Sequence, residues 1–204
     1  MPAFRVRNDP IAERQTGFAP GVGFRRVSWK TVHFGHACRK PQHCGPIVTH
    51  PLEAGDPAPD FELPASKGRT ANLAEYAGKT LVLFFYPKDD TEVCTREAVA
   101  FSGAQSRFTR KKAAILGLSR DSLNDHKAFI AKYKLKIRLG SDEDGRVCNA
   151  YGVWQQKQLY GRKFMGIVRS TFLISPEGLI LRVWRNVRVP GHVEAVYEVL
   201  TGSR

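Results

Sequence analysis

The sequence predicts an α/β fold with a mixed central sheet flanked by helices. Three observations carry that expectation. Two apolar runs of strand length, residues 79–86 and 113–118, are each followed by a segment with helical spacing. A turn at Pro176-Glu177-Gly178 then separates two further strand-like segments, 169–174 and 179–185, as in an antiparallel pair. A last segment, 191–200, places Val193, Val196, Val199 and Leu200 on one helical face. Strand, helix, strand, helix, hairpin, helix is the order of a layered α/β domain.

Each element has a local reason. Residues 55–63 (G-D-P-A-P-D-F-E-L) form a Pro-rich entry to a short strand. Residues 79–86 (K-T-L-V-L-F-F-Y) are continuously apolar, as in a strand buried on both faces, and Pro87 stops them. From about 95 to 110, Ala98, Phe101, Ala104 and Phe108 recur along one helix face. Residues 113–118 (A-A-I-L-G-L) are a second buried strand. Residues 121–133 are a helix with Asp121 or Ser122 as N-cap, and 142–151 a shorter one. Asp121 and His126 are read as part of a solvated helix face. Arg182, Arg185 and Arg188 alternate with Val183, Trp184 and Val187, the pattern of a charged edge strand.

The chain has 204 residues and a net charge of +13. Residues 1–50 hold eight Arg or Lys and two acids; residues 51–204 hold 24 and 17. Nearly half of the excess charge thus sits in a quarter of the chain. That first part shows no helix or strand period, and Pro10, Pro20, Pro41 and Pro46 interrupt it. Residues 1–50 are therefore expected to be a flexible basic extension, and 51–204 the folded domain. His33, His36, Cys38, His43 and Cys44 fit no closed zinc pattern. No run approaches the ~20 apolar residues of a membrane helix, and the N-terminus lacks an unbroken apolar signal segment. The expectation is a cytoplasmic protein without a membrane segment. Four cysteines do not look like a disulfide scaffold and point to catalytic, redox, metal-binding or buried roles.

Cys94 is the candidate nucleophile. It lies in P-K-D-D-T-E-V-C (87–94), between a buried strand and the start of a helix. Unpaired N–H groups and the positive end of the helix dipole favour an anion there, and the thiolate is the reactive form of cysteine. Thr91 can aim a hydroxyl at the same spot, and Pro87 can shape the pocket and limit water.

The string P-x-x-x-T-x-x-C after an apolar strand resembles the active-site signature of the peroxiredoxins. The longer Y-P-K-D-D-T-E-V-C-T-R-E-A is similar to the Q-type branch, the bacterioferritin comigratory proteins. Further likenesses are G-D-P-A-P-D-F-E-L, S-D-E-D-G-R-V-C-N-A-Y-G-V-W, Y-G-R-K-F-M-G-I-V-R-S-T-F-L-I and V-P-G-H-V-E-A-V, in the family's order. The resemblance implies a thioredoxin-like fold and a thiol-dependent peroxidase. Cys94 would attack the peroxide, Thr91 bond the thiolate and the peroxide, and Pro87 shield the sulfur. Arg169 would favour the thiolate and polarise the oxygen–oxygen bond. The sulfenic acid formed would be reduced through a disulfide by thioredoxin or a similar thiol, without metal or haem. The partners implied are a peroxide and that reductant, with the chain a monomer or weak homodimer.

The sequence departs from the branch at three places. The two common positions of a resolving cysteine hold Val99 and Ile130, and Glu92-Val93 stand where Pro-Gly is usual. Either an external thiol reduces Cys94 directly, or Cys148 resolves it after some unfolding; the first is the preferred reading. Cys38 and Cys44 lie on a segment loose enough to reach. A basic thioredoxin-fold protein binding nucleic acid is the alternative. A thioredoxin-like reductase would need C-x-x-C, which the chain lacks.

Overall fold

A computed structural model describes residues 51–68, 70–159 and 161–202. The predicted basic extension and its His/Cys cluster lie outside the described residues.

The core is a five-stranded mixed sheet in the order β5 (Arg138–Ser141), β4 (Ala113–Ser119), β3 (Thr80–Phe85), β8 (Ser170–Ile174), β9 (Ile180–Arg185). β3 (Thr80–Phe85) pairs in parallel with β4 (Ala113–Ser119), which pairs in parallel with β5 (Arg138–Ser141). On its other side β3 meets β8 (Ser170–Ile174) antiparallel, and β8 meets β9 (Ile180–Arg185) antiparallel. β9 is a sheet edge, as its alternating arginines predict. Two hairpins stand apart from this sheet. One joins β1 (Glu62–Pro64) to β2 (Thr70–Asn72), the other β6 (Trp154–Leu159) to β7 (Arg162–Ile167).

Every residue of β3 from Leu81 to Phe85 is buried, and side chains alternate between two separate cores. Leu81, Leu83 and Phe85 face Tyr151, Phe172 and Val147, beside α3 (Arg146–Ala150). Val82, Phe84 and Tyr86 face the other core. There they meet α1 (Glu92–Arg110), α2 (Leu123–Tyr133) and α4 (His192–Thr201). On that side Phe84 stacks on Phe101 with ring centroids 4.7 Å apart. Gly117 in β4 makes room for this: a Cβ there would lie 2.5 Å from the Phe84 ring.

Helix ends follow local chemistry. Ser122 caps α2 and forms a reciprocal box with Asp125, which settles the N-cap on Ser122 rather than Asp121. The short helix begins later than its predicted start at 142. Asp142 instead accepts the backbone N–H groups of Val147 and Cys148, at 3.1 and 2.7 Å, and so caps α3 from outside.

Two elements were not read from the sequence, and one expectation is corrected. Residues 138–141 and 154–167 form a strand and a hairpin that apolar periodicity does not reveal, because Arg138 and Gly140 interrupt the first and glutamines and lysines fill the second. His126 is not on a solvated face. It is fully buried, with Nδ1 2.7 Å from Asp89 Oδ2 and Nε2 3.1 Å from the Gly140 carbonyl. Both ring nitrogens have partners, so burying the ring leaves no polar atom unsatisfied.

Candidate active site

The site is built on the turn from β3 into α1, where the buried strand ends and the chain must reverse. Tyr86 donates its hydroxyl to Asp89 Oδ1 at 2.7 Å. Burial, then the Asp89 charge, push that phenol well above its usual range, so it remains a donor. Asp89 also meets His126, and its backbone N–H donates to Asp121 Oδ2 at 2.7 Å. Asp90 adopts the left-handed region (φ 57°) and accepts from Lys132 and Tyr133 on α2. Asp121 and His126 therefore pin the loop 87–91 from below. Neither makes a hydrogen bond to the Cys94 sulfur.

This anchoring delivers Thr91 as the N-cap of α1 and Cys94 as its third helical residue. The first-turn N–H groups have no partner within the helix, and the helix runs 19 residues behind them. Cys94 is 2% exposed and is a free thiol. Arg169, just before β8, donates from Nη2 to Cys94 Sγ at 3.1 Å. Its Nη1 makes a short ion pair with Glu97. Thr91 is exposed and donates its hydroxyl to the Lys88 carbonyl at 3.1 Å rather than to the sulfur. Pro87 is exposed and lines a cavity of about 330 Å³ together with the β6–β7 hairpin.

Glu97 is a site residue the sequence reading did not single out. The signal was present in C-T-R-E: three residues after Cys94 places Glu97 on the same helix face, one turn along. The carboxyl is 1% exposed. Burial raises it to about 7, against the opposing pull of Arg169. Burial also works against the Arg169 charge, but Glu97 and Cys94 more than offset it and that guanidinium is held more firmly protonated. A fixed cation thus faces the sulfur, and a carboxyl close to its own midpoint at neutral pH holds the cation in place.

Cys148 sits elsewhere. It is fully buried in the core cluster on the opposite side of the sheet from Cys94. Burial, and then Asp142, push its thiol far upward. The structure brings Cys94, Arg169 and Glu97 together and places Pro87 and Thr91 on the loop before them. Cys148 stays apart from this group.

A mixed sheet with a buried cysteine at a helix start, held against an arginine, defines a cysteine-based redox enzyme of thioredoxin-like fold. Residues 54–183 match the AhpC/TSA family, and the chain belongs to that family. It is 44% identical over 146 residues to peroxiredoxin Bcp of Xanthomonas campestris, covering 71% of this chain and 91% of that one. It is 42% identical over 149 residues to peroxiredoxin Bcp of Bacillus subtilis, covering 73% and 95%. It superposes with a TM-score of 0.67 and 42% identity on a solved structure of the Xanthomonas campestris bacterioferritin comigratory protein, covering 70% of this chain and 91% of that one. That structure was described for alkyl peroxide reduction with trapped intermediates. The resemblance read from the motifs is thereby shown, and the chain is a thiol peroxidase with a thioredoxin-like peroxiredoxin fold. The nucleic-acid alternative is not favoured.

Proposed function

We propose that Cys94 is the peroxidatic cysteine, that hydrogen peroxide and organic hydroperoxides are its substrates, and that thioredoxin or a similar small thiol protein reduces it. The Cys94 thiolate attacks the terminal peroxide oxygen, a sulfur–oxygen bond forms and the oxygen–oxygen bond breaks. Sulfur is oxidised to the sulfenic acid, and water or an alcohol leaves after taking a proton. Arg169 stabilises the thiolate before attack and the charge that develops on oxygen during it. Glu97 fixes the guanidinium. Pro87 and Thr91 shape the approach. Thr91 turns from the Lys88 carbonyl toward bound peroxide.

The sulfenic acid is reduced by an incoming thiol in a one-cysteine cycle. Val99 and Ile130 occupy the common resolving positions, and Cys148 lies across the sheet, where burial and Asp142 favour its protonated thiol. Reduction by a thiol protein suits a reducing cytoplasm and a monomer or weak homodimer. No described helix is long and apolar enough to cross a membrane.

The observation that carries this reading is Arg169 Nη2 at 3.1 Å from Cys94 Sγ in the first turn of α1. The test is peroxide consumption coupled to thioredoxin, thioredoxin reductase and NADPH. Sustained turnover by the Cys148→Ala variant is expected. A single turnover that stops in Cys148→Ala but continues in wild type would overturn the one-cysteine cycle.

A further inference from the structure

When the thiolate breaks a peroxide bond, the departing oxygen leaves as an anion and must gain a proton. None of Cys94, Arg169 and Glu97 is placed to give one. Arg169 cannot release a proton at any ordinary pH, and the Glu97 carboxyl is buried and engaged in its ion pair with Arg169. The cavity's own lining supplies another group. Trp154, Phe164, Met165 and Ile167 form its apolar wall, Pro87 its edge toward the active-site loop, and Lys157 of β6 contributes an ammonium.

Lys157 is held rather than waving in solvent. Its stem lies across Gly166, where a Cβ would come within 3.5 Å of Lys157 Cδ. Its Nζ donates to the Ile167 carbonyl at 2.5 Å, two residues before Arg169. That bond occupies one of three N–H donors. The carbonyl it bonds lies on the segment that leads to Arg169, whose Nη2 contacts Cys94 Sγ. Burial, followed by repulsion from Arg169, lowers its pKa, while Cys94 acts in the opposite direction. The other charged groups at the cavity are not donors of this kind. Arg120 is a guanidinium stacked over Trp154 and bonded to the Glu143 carbonyl oxygen, and Glu143 is an acid whose ionised form accepts.

Resting on the peroxidase reading, we infer that Lys157 is the general acid of the reaction: its ammonium gives a proton to the oxygen that departs when Cys94 attacks. Sulfur loses two electrons and the peroxide gains them. The new sulfur–oxygen bond keeps the terminal hydroxyl, the leaving alkoxide or hydroxide takes the Lys157 proton, and the neutral amine is reprotonated from water in the cavity.

The test compares two oxidants whose leaving groups differ in their need for a proton. Cumene hydroperoxide releases an alkoxide. Peracetic acid releases acetate, which is stable without a proton at neutral pH. Rapid-mixing rates of Cys94 oxidation are measured for wild type, Lys157→Met and Lys157→Arg. Arginine keeps the charge but cannot surrender a proton. Both variants are expected to lose about 10²-fold with cumene hydroperoxide and no more than about threefold with peracetic acid. The peracid rate also reports an intact fold. Equal losses with both oxidants, no loss with either, or full retention in Lys157→Arg would each overturn the assignment. If wild type reacted with neither oxidant, the peroxidase reading itself would fail, a distinct result.

Discussion

Cys94 and Cys148 are the same residue, nearly equally buried, at 2% and 0% exposure, and each sits in the first turn of a helix. The charges set beside the two sulfurs are of opposite sign. Cys94 opens a 19-residue helix and faces the Arg169 guanidinium at 3.1 Å. Cys148 lies in a five-residue helix whose start is capped by the Asp142 carboxylate, and that negative charge adds to burial in keeping the thiol protonated. Burial alone therefore does not make a cysteine reactive or inert. On the proposed reading, the sign of the charge brought to each sulfur separates them.

The sharpest way to break that contrast is to remove each sulfur. Cys94→Ser should abolish peroxide turnover, while Cys148→Ala should keep it within about twofold and lower stability by roughly 1 kcal/mol through a small cavity. Coupled peroxidase assays and urea unfolding measure the two effects.

Removing the cation comes next. Arg169→Met should reduce the second-order rate of Cys94 oxidation by about 10²–10³-fold, the scale of losing one preorganised charge at a reacting centre. The same variant should leave Cys148 as slow toward iodoacetamide as before.

Glu97→Gln sharpens the account of how the cation is held. In wild type an ionisation at about 7 should shape the pH profile of Cys94 alkylation, and it should vanish in the variant. The linkage sign is fixed by the direction of the shift. A carboxyl raised from 4.5 to about 7 binds its proton more tightly in the folded state. The contribution favours the fold at low pH and declines as pH rises from about 4.5 to 7, by an order of 3 kcal/mol in all. His192, lowered to about 4 by burial and then Arg169, imposes the opposite slope between 4 and 6.5. The difference between wild type and Glu97→Gln therefore isolates Glu97, and unfolding at pH 5 and pH 8 measures it.

The smallest effect concerns the second cysteine. Asp142→Asn removes the charge beside Cys148 but retains an oxygen for the α3 N–H groups. Iodoacetamide should label Cys148 modestly faster at high pH, and peroxide turnover should not change. A large change in turnover would break the separation of the two regions.

Much of this was legible in the sequence where the signal is local. The β3 apolar run, the P-x-x-x-T-x-x-C string and the turn at 176–178 each specify geometry through neighbours in the chain. Residues 138–141 and 154–167 were not legible because their strand character comes from pairing rather than from an apolar pattern. His126 was misread because its polarity suggested solvent; Asp89, 37 positions away, is what permits its burial. Lys157 was not singled out because it lines the cavity beside Pro87 only when the β6–β7 hairpin forms. Glu97 could have been found from its one-turn spacing to Cys94.

The most direct measurement is peptide mass spectrometry after one equivalent of hydrogen peroxide, with a sulfenic-acid trap present, on wild type and Cys148→Ala. The account predicts the trap on Cys94 in both proteins and an unmodified Cys148 in wild type. A free Cys94 thiol while excess peroxide persists, or a Cys94–Cys148 disulfide, would contradict it.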